Sequence, residues 1–316
     1  MTINTMKEII KQGKIRESYT EGDSFFVYTS DRISIRDKVL PFQVKDKGKS
    51  LNRVSKHMYD KAKRIMPSWY KAEVNPKLHR GIQCTAFPLE FVVRSHLTGT
   101  MYDKYQKGKR SFATNPELKL RKGMQKNEYI GFNYLEIYHK TDRGDILIES
   151  DKHKPRMQKV KELCGLTTDG LSQLIITIYK LFECGKKIIR KNCPKLTMLD
   201  TKFEFGLNEK TKKVMLIDEL FTPDCTRYGY EQKDGTIKET IKETVRQRFE
   251  GKKIKSIKAK DNVEYAKALS KEYTKLCDYL CTDKPIVTID DIRADKQKVN
   301  HHFRGKNSSL NLKHNE

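Results

Sequence analysis

Residues 199–206 (LDTKFEFG) decide the fold of this chain, together with residues 217–219 (IDE) a short distance downstream. Side chains alternate between the two faces of a strand, and the first stretch alternates strictly between charged and mostly hydrophobic residues. One face carries Asp200, Lys202 and Glu204, and the other carries Leu199, Thr201, Phe203 and Phe205. The pattern predicts a strand with one core face and one face that bears two carboxylates around an ammonium.

A polar run at 208–213 (NEKTKK) predicts a turn, and residues 214–218 then form the returning strand. A hairpin centred near residue 211 brings Glu204 and Asp218 close together. Paired carboxylates beside Lys202 form a cradle suited to Mg²⁺ that bridges the phosphates of a nucleotide. The alternative is an exposed strand face whose charges only interact with water, and these two stretches alone favour that alternative.

The length of 316 residues allows one large domain or two smaller ones with a sizeable core. Hydrophobic residues make up 36% of the chain and charged residues 34%, which is typical of a globular protein. The sequence shows no apolar run long enough to span a bilayer and no secretory signal at its start. Seven cysteines, scattered singly, favour reduced thiols and a cytoplasmic location.

A formal net charge of +24 has three competing explanations: nucleic-acid binding, attraction of phosphorylated small molecules, and a bias toward lysine. The basic residues are spread along the chain, with modest clusters at 104–110, 186–191 and 252–260. Aromatic residues do not interleave with a basic stripe as they do in single-strand binders. Compositional bias combined with anionic substrates is the favoured explanation, and nucleic acid is not an expected partner.

The first predicted hairpin joins residues 13–19 (GKIRESY) to residues 24–30 (SFFVYTS) through a turn at 21–23. Lys14 and Arg16 share one face beside a glycine, which suits a phosphate, although a hairpin with hydrated charges fits equally well. Residues 30–41, which include Ser34, are predicted to form a polar, turn-rich connection that lines a site.

Further elements follow from hydrophobic periodicity. Helices are predicted at 49–66, 171–191 (capped by Thr168 or Asp169), 237–249 and 262–281, strands at 84–93, 133–139 and 145–149, a loop at 95–100 and a basic surface excursion at 101–128.

Two of these stretches carry a family resemblance. Residues 87–100 (FPLEFVVRSHLTGT) and 198–206 (MLDTKFEFG) closely resemble the two signature stretches of the SAICAR synthetase family. Residues 13–19, 30–34 (SDRIS) and 216–227 (LIDELFTPDCTR) resemble other marked segments of that family, in the same order. The resemblance extends from about residue 10 to residue 230, with a looser helix beyond.

The resemblance implies an α+β fold with antiparallel sheets, an ATP cleft between two lobes and flanking helices. The expected divisions are an ATP-binding lobe at 1–95, a lobe with the Mg²⁺ and substrate site at 96–293, and a disordered tail at 294–316. The implied reaction passes the γ-phosphate of ATP to the carboxylate of carboxyaminoimidazole ribonucleotide (CAIR). The amine of L-aspartate then displaces phosphate from the acyl phosphate, which gives SAICAR, ADP and phosphate in purine biosynthesis.

The resemblance also assigns roles to residues of this chain. The expected catalytic residues are Arg94, Asp200 and Lys202. The expected ligands of ATP and Mg²⁺ are Lys14, Arg16, Lys140, Glu204 and Asp218, with the metal bound by Glu204 and Asp218. The expected substrate-binding residues are Ser34, Arg94, Thr100, Asp145, Asp224, Arg227, Lys242 and Arg246. Phosphoryl transfer requires such cations and a metal more than it requires a covalent nucleophile. For Arg94, a salt bridge with Glu90 at the end of a strand is the alternative.

The chain departs from the family pattern around the expected pockets for the second and third substrates. Thr100 replaces the usual serine, residues 35–36 (IR) replace a small residue and an aromatic one, and Gly144 replaces a histidine in a shortened loop. Lys242 and Arg246 stand in for a poorly matched segment that contains an aspartate and a lysine. A related ligase with another amine and a kinase for a phosphorylated small molecule are therefore alternatives. The net charge of +24 adds a third, a non-catalytic nucleic-acid-binding protein, against which the acidic positions Asp200, Glu204 and Asp218 argue.

Overall fold

A computed structural model describes residues 7–21, 24–35, 38–112, 115–149 and 156–283. The strands are β1 (Lys7–Gln12), β2 (Arg16–Glu21), β3 (Ser24–Thr29), β4 (Arg32–Ile35), β5 (Lys38–Gln43), β6 (Tyr70–Asn75), β7 (Leu78–Gly81), β8 (Cys84–Ala86), β9 (Leu89–His96), β10 (Ser111–Phe112), β11 (Asn115–Lys119), β12 (Tyr129–Thr141), β13 (Gly144–Leu147), β14 (Leu196–Asn208), β15 (Val214–Ile217), β16 (Thr226–Glu231) and β17 (Ile237–Glu239). The helices are α1 (Lys47–Ala62), α2 (Gly99–Gln106), α3 (Arg156–Cys164), α4 (Thr168–Asn192), α5 (Ile241–Arg248) and α6 (Val263–Cys281).

Two antiparallel sheets dominate the architecture. The smaller sheet has the strand order β1-β2-β3-β7-β6, and the larger has the order β13-β12-β9-β14-β16-β17, with β8 and β15 also paired to β14. Two further strand pairs, β4-β5 and β10-β11, stand outside these sheets. Since β14 pairs with four other strands, residues 199–206 lie at the centre of the larger sheet.

The predicted alternation along β14 is confirmed over most of its length. Phe203 and Phe205 are fully buried in the main core, whereas Asp200, Lys202 and Glu204 contact charged groups on the opposite face. A bulge between Met198 and Asp200 interrupts the register with β16, and β14 extends beyond the predicted strand at both ends. The predicted hairpin is also correct, because β15 pairs with β14 with Glu204 opposite Ile217.

Several local predictions are wrong. Residues 30–41 contain the paired strands β4 and β5 rather than a turn-rich connection. The predicted loop at 95–100 contains the end of β9 and the start of α2. The excursion at 101–128 carries more than exposed basic residues, because a second hydrophobic cluster anchors it. That cluster consists of Leu97, Met101, Leu120, Met124, Ile130 and Tyr134.

The sequence predicts the positions of the helices more accurately than the residues at which they begin and end. Helix α4 covers the predicted 171–191, but Thr167 caps it by accepting a hydrogen bond from the amide of Gly170, so neither predicted cap is used. Helix α1 begins and ends earlier than predicted, at Lys47 and Ala62. Residues 237–239 form a strand rather than the first turn of α5.

The predicted lobe boundary at residue 95 falls inside β9, which pairs with β12 and β14 in the larger sheet. The division into two lobes remains a prediction. The predicted tail at 294–316, residues 22–23 of the first turn and Arg36 lie outside the described residues. Within the described part of the chain, none of the helices is both long enough and apolar enough to cross a membrane.

Helix α4 packs against β14 and the loop that follows β15. Its buried face includes Leu174, Ile178 and Phe182, and Gly185 lies directly against the ring of Phe221. A Cβ atom added at Gly185 would lie 2.5 Å from that ring, which is closer than atoms pack. Glycine is therefore required here by close packing, although it is a poor helix former.

We predict that Gly185→Ala destabilises the protein by about 1–3 kcal/mol, because overpacking of the Phe221 ring outweighs the helix propensity of alanine. The measurement is the free energy of unfolding in urea. Gln173→Ala, at an exposed position of the same helix, is the control and should change it by less than about 0.5 kcal/mol. A stabilising effect of Gly185→Ala would contradict the packing argument.

Candidate active site

A cavity of about 1040 Å³ lies between the smaller sheet and the edge of the larger sheet. Its apolar part includes Ile15, Val27, Ile82 and Ile217, and its polar part includes residues from the β12–β13 turn and from β14. Of the predicted site residues, the cavity wall includes Lys14, Arg16, Ser34, Lys140, Asp145, Lys202, Glu204, Asp218, Asp224 and Lys242. The structure therefore brings together most of the predicted set, from segments more than 200 residues apart.

Lys202 is the central charge of this cavity. Its Nζ lies 2.8 Å from Glu204, 3.3 Å from Glu90 and 3.8 Å from Asp218. Because Glu204 and Asp218 both lie within 4 Å of one nitrogen, the hairpin places the two predicted metal ligands side by side, as the sequence suggested. Lys140 adds a second ammonium, 2.7 Å from Glu204.

These neighbours shift the carboxylates in opposite directions. Burial favours a higher pKa for Glu204, but Lys202 and Lys140 outweigh it, so that its pKa lies well below the usual range. Burial raises the pKa of Asp218, and the negative charges of Glu204 and Glu219 add to this effect, whereas Arg16 and Lys202 oppose it. Of the two carboxylates, Asp218 is therefore the more easily protonated.

Arg16 reaches the same carboxylates from the smaller sheet. Its guanidinium donates to Asp218 at 3.3 Å and to Glu219 at 2.7 Å. Asp218 has a left-handed backbone with φ of 63°, and its carbonyl accepts hydrogen bonds from Tyr59 and Trp69. A strained conformation fixed by surrounding contacts is typical of a functional position.

A second charged cluster lies on the same face of β14, around Asp200. Arg94 and Arg227 both donate to Oδ2 of Asp200, the latter at 2.6 Å. Arg94 also donates to Glu136 at 2.7 Å and to Thr100 at 3.5 Å. The alternative partner Glu90 is not used by Arg94, since Glu90 pairs with Lys202 instead.

The N-terminus of α2 lies against these arginines. The Arg227 guanidinium packs on Gly99, where an added Cβ would lie 2.9 Å from it. Arg246 pairs with Glu243 at 3.4 Å, and burial together with the neighbouring Arg227 lowers the pKa of Arg246. These guanidinium groups repel one another, and they lie beside a helix N-terminus. An anionic group such as phosphate would reduce that repulsion and bind there.

Asp224 and Lys242 occupy the inner wall of the cavity. The carboxylate of Asp224 accepts hydrogen bonds from Lys47 at 2.6 Å and from Tyr273 at 2.7 Å, so both of its oxygens are engaged within the protein. Lys242 donates to the backbone carbonyl of Asp224 at 2.6 Å. The geometry favours a positioning role for Asp224 and leaves the ammonium of Lys242 on the cavity wall.

Sequence reasoning missed several residues of the site. Glu219 could have been selected, because it follows Asp218 directly and was quoted with it. Glu136 lies on β12, but nothing in the sequence around it indicates that it accepts a hydrogen bond from Arg94. Lys47 and Tyr273 lie on helices and look like ordinary residues of amphipathic helices, so only the tertiary structure identifies their bond to Asp224.

The carboxylates present fit a magnesium ion. The described residues contain no group of three or more side chains arranged to hold a metal. Two adjacent carboxylates nevertheless suffice for Mg²⁺, which keeps waters and takes oxygen ligands from phosphates. Glu204 and Asp218 each lie within 4.0 Å of the Lys202 ammonium, and they would be the two protein ligands of such an ion.

Comparison with known proteins assigns the chain to a family. The family model described as SAICAR synthetase matches residues 9–262. The chain belongs to the SAICAR synthetase family. A relative from Azobacteroides pseudotrichonymphae, named phosphoribosylaminoimidazole-succinocarboxamide synthase, is 31% identical over 279 residues, which cover 84% of this chain and 81% of the relative.

Solved structures agree in fold. SAICAR synthase from Saccharomyces cerevisiae, complexed with SAICAR, has a TM-score of 0.68 at 19% identity and covers 91% of this chain and 99% of its own. A type-2 SAICAR synthetase in complex with ADP has a TM-score of 0.63 at 17% identity and covers 89% of this chain and 100% of its own.

The comparisons confirm the predicted fold class, the family resemblance and the assignment to the ligases of purine biosynthesis. They speak against the non-catalytic alternative for the +24 charge, because the matched family consists of enzymes. The roles of the individual site residues in this chain remain predictions, which the distances and contacts of the site support.

We predict that Lys202→Met makes stability strongly dependent on pH. Without the ammonium, the lowered pKa of Glu204 rises in the folded protein, and the pKa of Asp218, which is already raised, rises further. Folding then favours the protonated forms, so the loss of stability is greatest above about pH 7 and shrinks toward about pH 5. The expected maximum is roughly 1–3 kcal/mol.

Urea unfolding of both proteins between about pH 5 and 8 measures this difference. Lys210→Met, at an exposed position of the β14–β15 turn, is the control and should show a small difference that is independent of pH. An equal loss at every pH for Lys202→Met would contradict the assigned role of its charge.

Proposed function

We propose that this chain joins L-aspartate to CAIR in a reaction that consumes ATP and requires Mg²⁺. The γ-phosphate of ATP passes to the CAIR carboxylate, and the aspartate amine displaces phosphate from the acyl phosphate. SAICAR, ADP and phosphate are the products. Family membership supports the overall reaction, and the geometry of the site supports the roles of the residues.

The observation that carries this proposal is the position of two charged clusters on one face of β14. Glu204 belongs to the cavity with Arg16 and Lys202, whereas Asp200 belongs to the arginine cluster. Glu204 is four residue steps along the extended strand from Asp200, which is about 13 Å. ATP in the cavity and a ribonucleotide whose phosphate lies on the arginines can therefore bring the γ-phosphate and the CAIR carboxylate together between the two clusters, near Lys202.

The cavity suits the nucleotide. Lys14, Arg16 and Lys140 would neutralise the phosphates, and Glu204 and Asp218 would hold Mg²⁺. The metal, when bound, would supply charge stabilisation for phosphoryl transfer. Lys202 lies within reach of both carboxylates and would place its ammonium beside the transferred group.

The second cluster suits the ribonucleotide. Arg94 and Arg227, held apart by Asp200, would grip its phosphate together with Thr100 at the start of α2. Arg246 would add charge to the same region.

The remaining assigned side chains suit the amine substrate and the transferred group. Ser34 and Lys242 line the cavity wall near the carboxylates, and Asp145 lies opposite Lys140 in the β12–β13 pair. We assign Lys242 to a carboxylate of the amine substrate, and Asp224 to holding Lys242 in place.

We also propose that the chain has two lobes, with the boundary near residue 82 rather than residue 95, because β8 and β9 pair with β14. A reducing compartment, the cytoplasm, is consistent with the cysteines, since all seven are free thiols.

The direct test is ADP release with ATP, Mg²⁺, CAIR and L-aspartate together, and with CAIR or aspartate omitted in turn. We expect turnover to require CAIR, and SAICAR to appear only when both are present. Turnover that is indifferent to CAIR would overturn the assignment.

A panel of amino acids tests the amine, because the short turn at Gly144 borders the cavity and departs from the family pattern. Hydroxylamine trapping of an acyl phosphate then separates a ligase from a kinase. A ligase yields a hydroxamate of CAIR in the absence of an amine, whereas a kinase with a stable phosphorylated product does not.

We predict that Glu204→Gln lowers turnover by roughly 100-fold or more and raises the Mg²⁺ concentration needed for half-maximal activity. Because Glu204 is buried and accepts bonds from Lys140 and Lys202, the variant should also lose some thermal stability. Glu264→Gln, at an exposed position of α6, is the control with unchanged activity. Unaltered Mg²⁺ dependence of Glu204→Gln would rule out Glu204 as a metal ligand.

A further inference from the structure

Helix α6 contributes to the active site from beyond the region that the family model matches. That match ends at residue 262, and α6 spans Val263–Cys281. On the buried face of this helix, the hydroxyl of Tyr273 donates a hydrogen bond to Oδ1 of Asp224 at 2.7 Å. Since Asp224 lines the cavity, α6 reaches the site through one buried hydroxyl.

The second oxygen of Asp224 is also occupied. Lys47, whose side chain is fully buried, donates to Oδ2 at 2.6 Å, and its ammonium lies 5.5 Å from the centre of the Tyr273 ring. Burial would raise the pKa of Asp224, but Lys47 and Lys242 lower it well below the usual range. The carboxylate is therefore ionised and held between α1 and α6.

Lys242 lies close to this carboxylate but does not bond to it. Its ammonium donates to the backbone carbonyl of Asp224, which uses one of three protons. Among the described residues, no carboxylate oxygen lies within 4.0 Å of this ammonium. Burial lowers the pKa of Lys242, and the charges of Asp224 and Glu219 oppose this effect. An anionic ligand group on the cavity wall would stabilise the charged form in the same way.

We propose that Tyr273 is a positioning residue that keeps Asp224 away from Lys242. By occupying Oδ1, the hydroxyl prevents the carboxylate from turning toward the ammonium and neutralising it. Lys242 then remains available for a carboxylate of the amine substrate. This inference rests on the proposed function and deepens it, because it names a determinant of affinity for the amine.

The variant Tyr273→Phe tests this role while the ring keeps its packing. It leaves Oδ1 of Asp224 buried without a hydrogen-bond donor. The ammonium of Lys242 is the adjacent cation that can donate to this oxygen in place of the tyrosine hydroxyl. We expect the KM for aspartate to rise about ten- to hundredfold, the loss of one hydrogen bond to a charged group, while the KM for ATP changes less than about twofold. In a Lys242→Met background, Tyr273→Phe should have no further effect on the KM for aspartate.

Tyr279→Phe is the matched control, because Tyr279 lies on the same helix and its ring contacts only Lys275 among the described cations. We expect it to leave both KM values unchanged. An unchanged KM for aspartate in Tyr273→Phe would overturn the inference, and so would equal rises for aspartate and ATP, which would indicate a general loosening of the site.

Thermal unfolding of each variant shows whether the fold is retained. Additive effects of Tyr273→Phe and Lys242→Met would also contradict the inference, because the hydroxyl is argued to act through Lys242. Failure of the unmodified protein to turn over with CAIR and aspartate would instead overturn the proposed function, and this inference with it.

Discussion

The ammonium of Lys202 is the interaction on which the site depends. Three carboxylates, from β9, β14 and the end of β15, lie within 4.0 Å of it, and without a cation between them they would repel one another in a buried setting. The same contact therefore joins three strands of the larger sheet and holds the two proposed metal ligands beside one ammonium. Stability and chemistry are coupled at this residue.

The rest of the site follows the same physical rule, in which each charge is held by an opposite charge from another segment. Asp200 separates Arg94 from Arg227, and Glu219 anchors Arg16. These groups are fixed before any ligand binds, so little reorganisation is needed when charge moves during phosphoryl transfer.

Alternation along residues 199–206 was sufficient to predict β14, its core face and the neighbouring position of Glu204 and Asp218. Strict periodicity and a polar turn carry that information locally. The strands β4 and β5 were missed because they are short and lie among charged residues and a proline, although Ile33, Ile35, Leu40 and Phe42 on these strands are buried. The cluster around Met101 was missed because its apolar residues are widely spaced within a basic stretch, and only tertiary contact brings them together.

The partners of the predicted residues were the least accessible from sequence. Sequence patterns identify Arg94 and Asp224 as charged residues near the site, but Glu136 and Tyr273 are 42 and 49 residues away from them. Such contacts depend on how helices and sheets pack, which local periodicity does not encode. Lys47 shows the consequence most clearly: in a lysine-rich stretch it reads as a hydrated surface charge, yet it is fully buried because Asp224 lies beside it. A buried lysine is stable only with such a partner, so the position of one residue determines the role of the other.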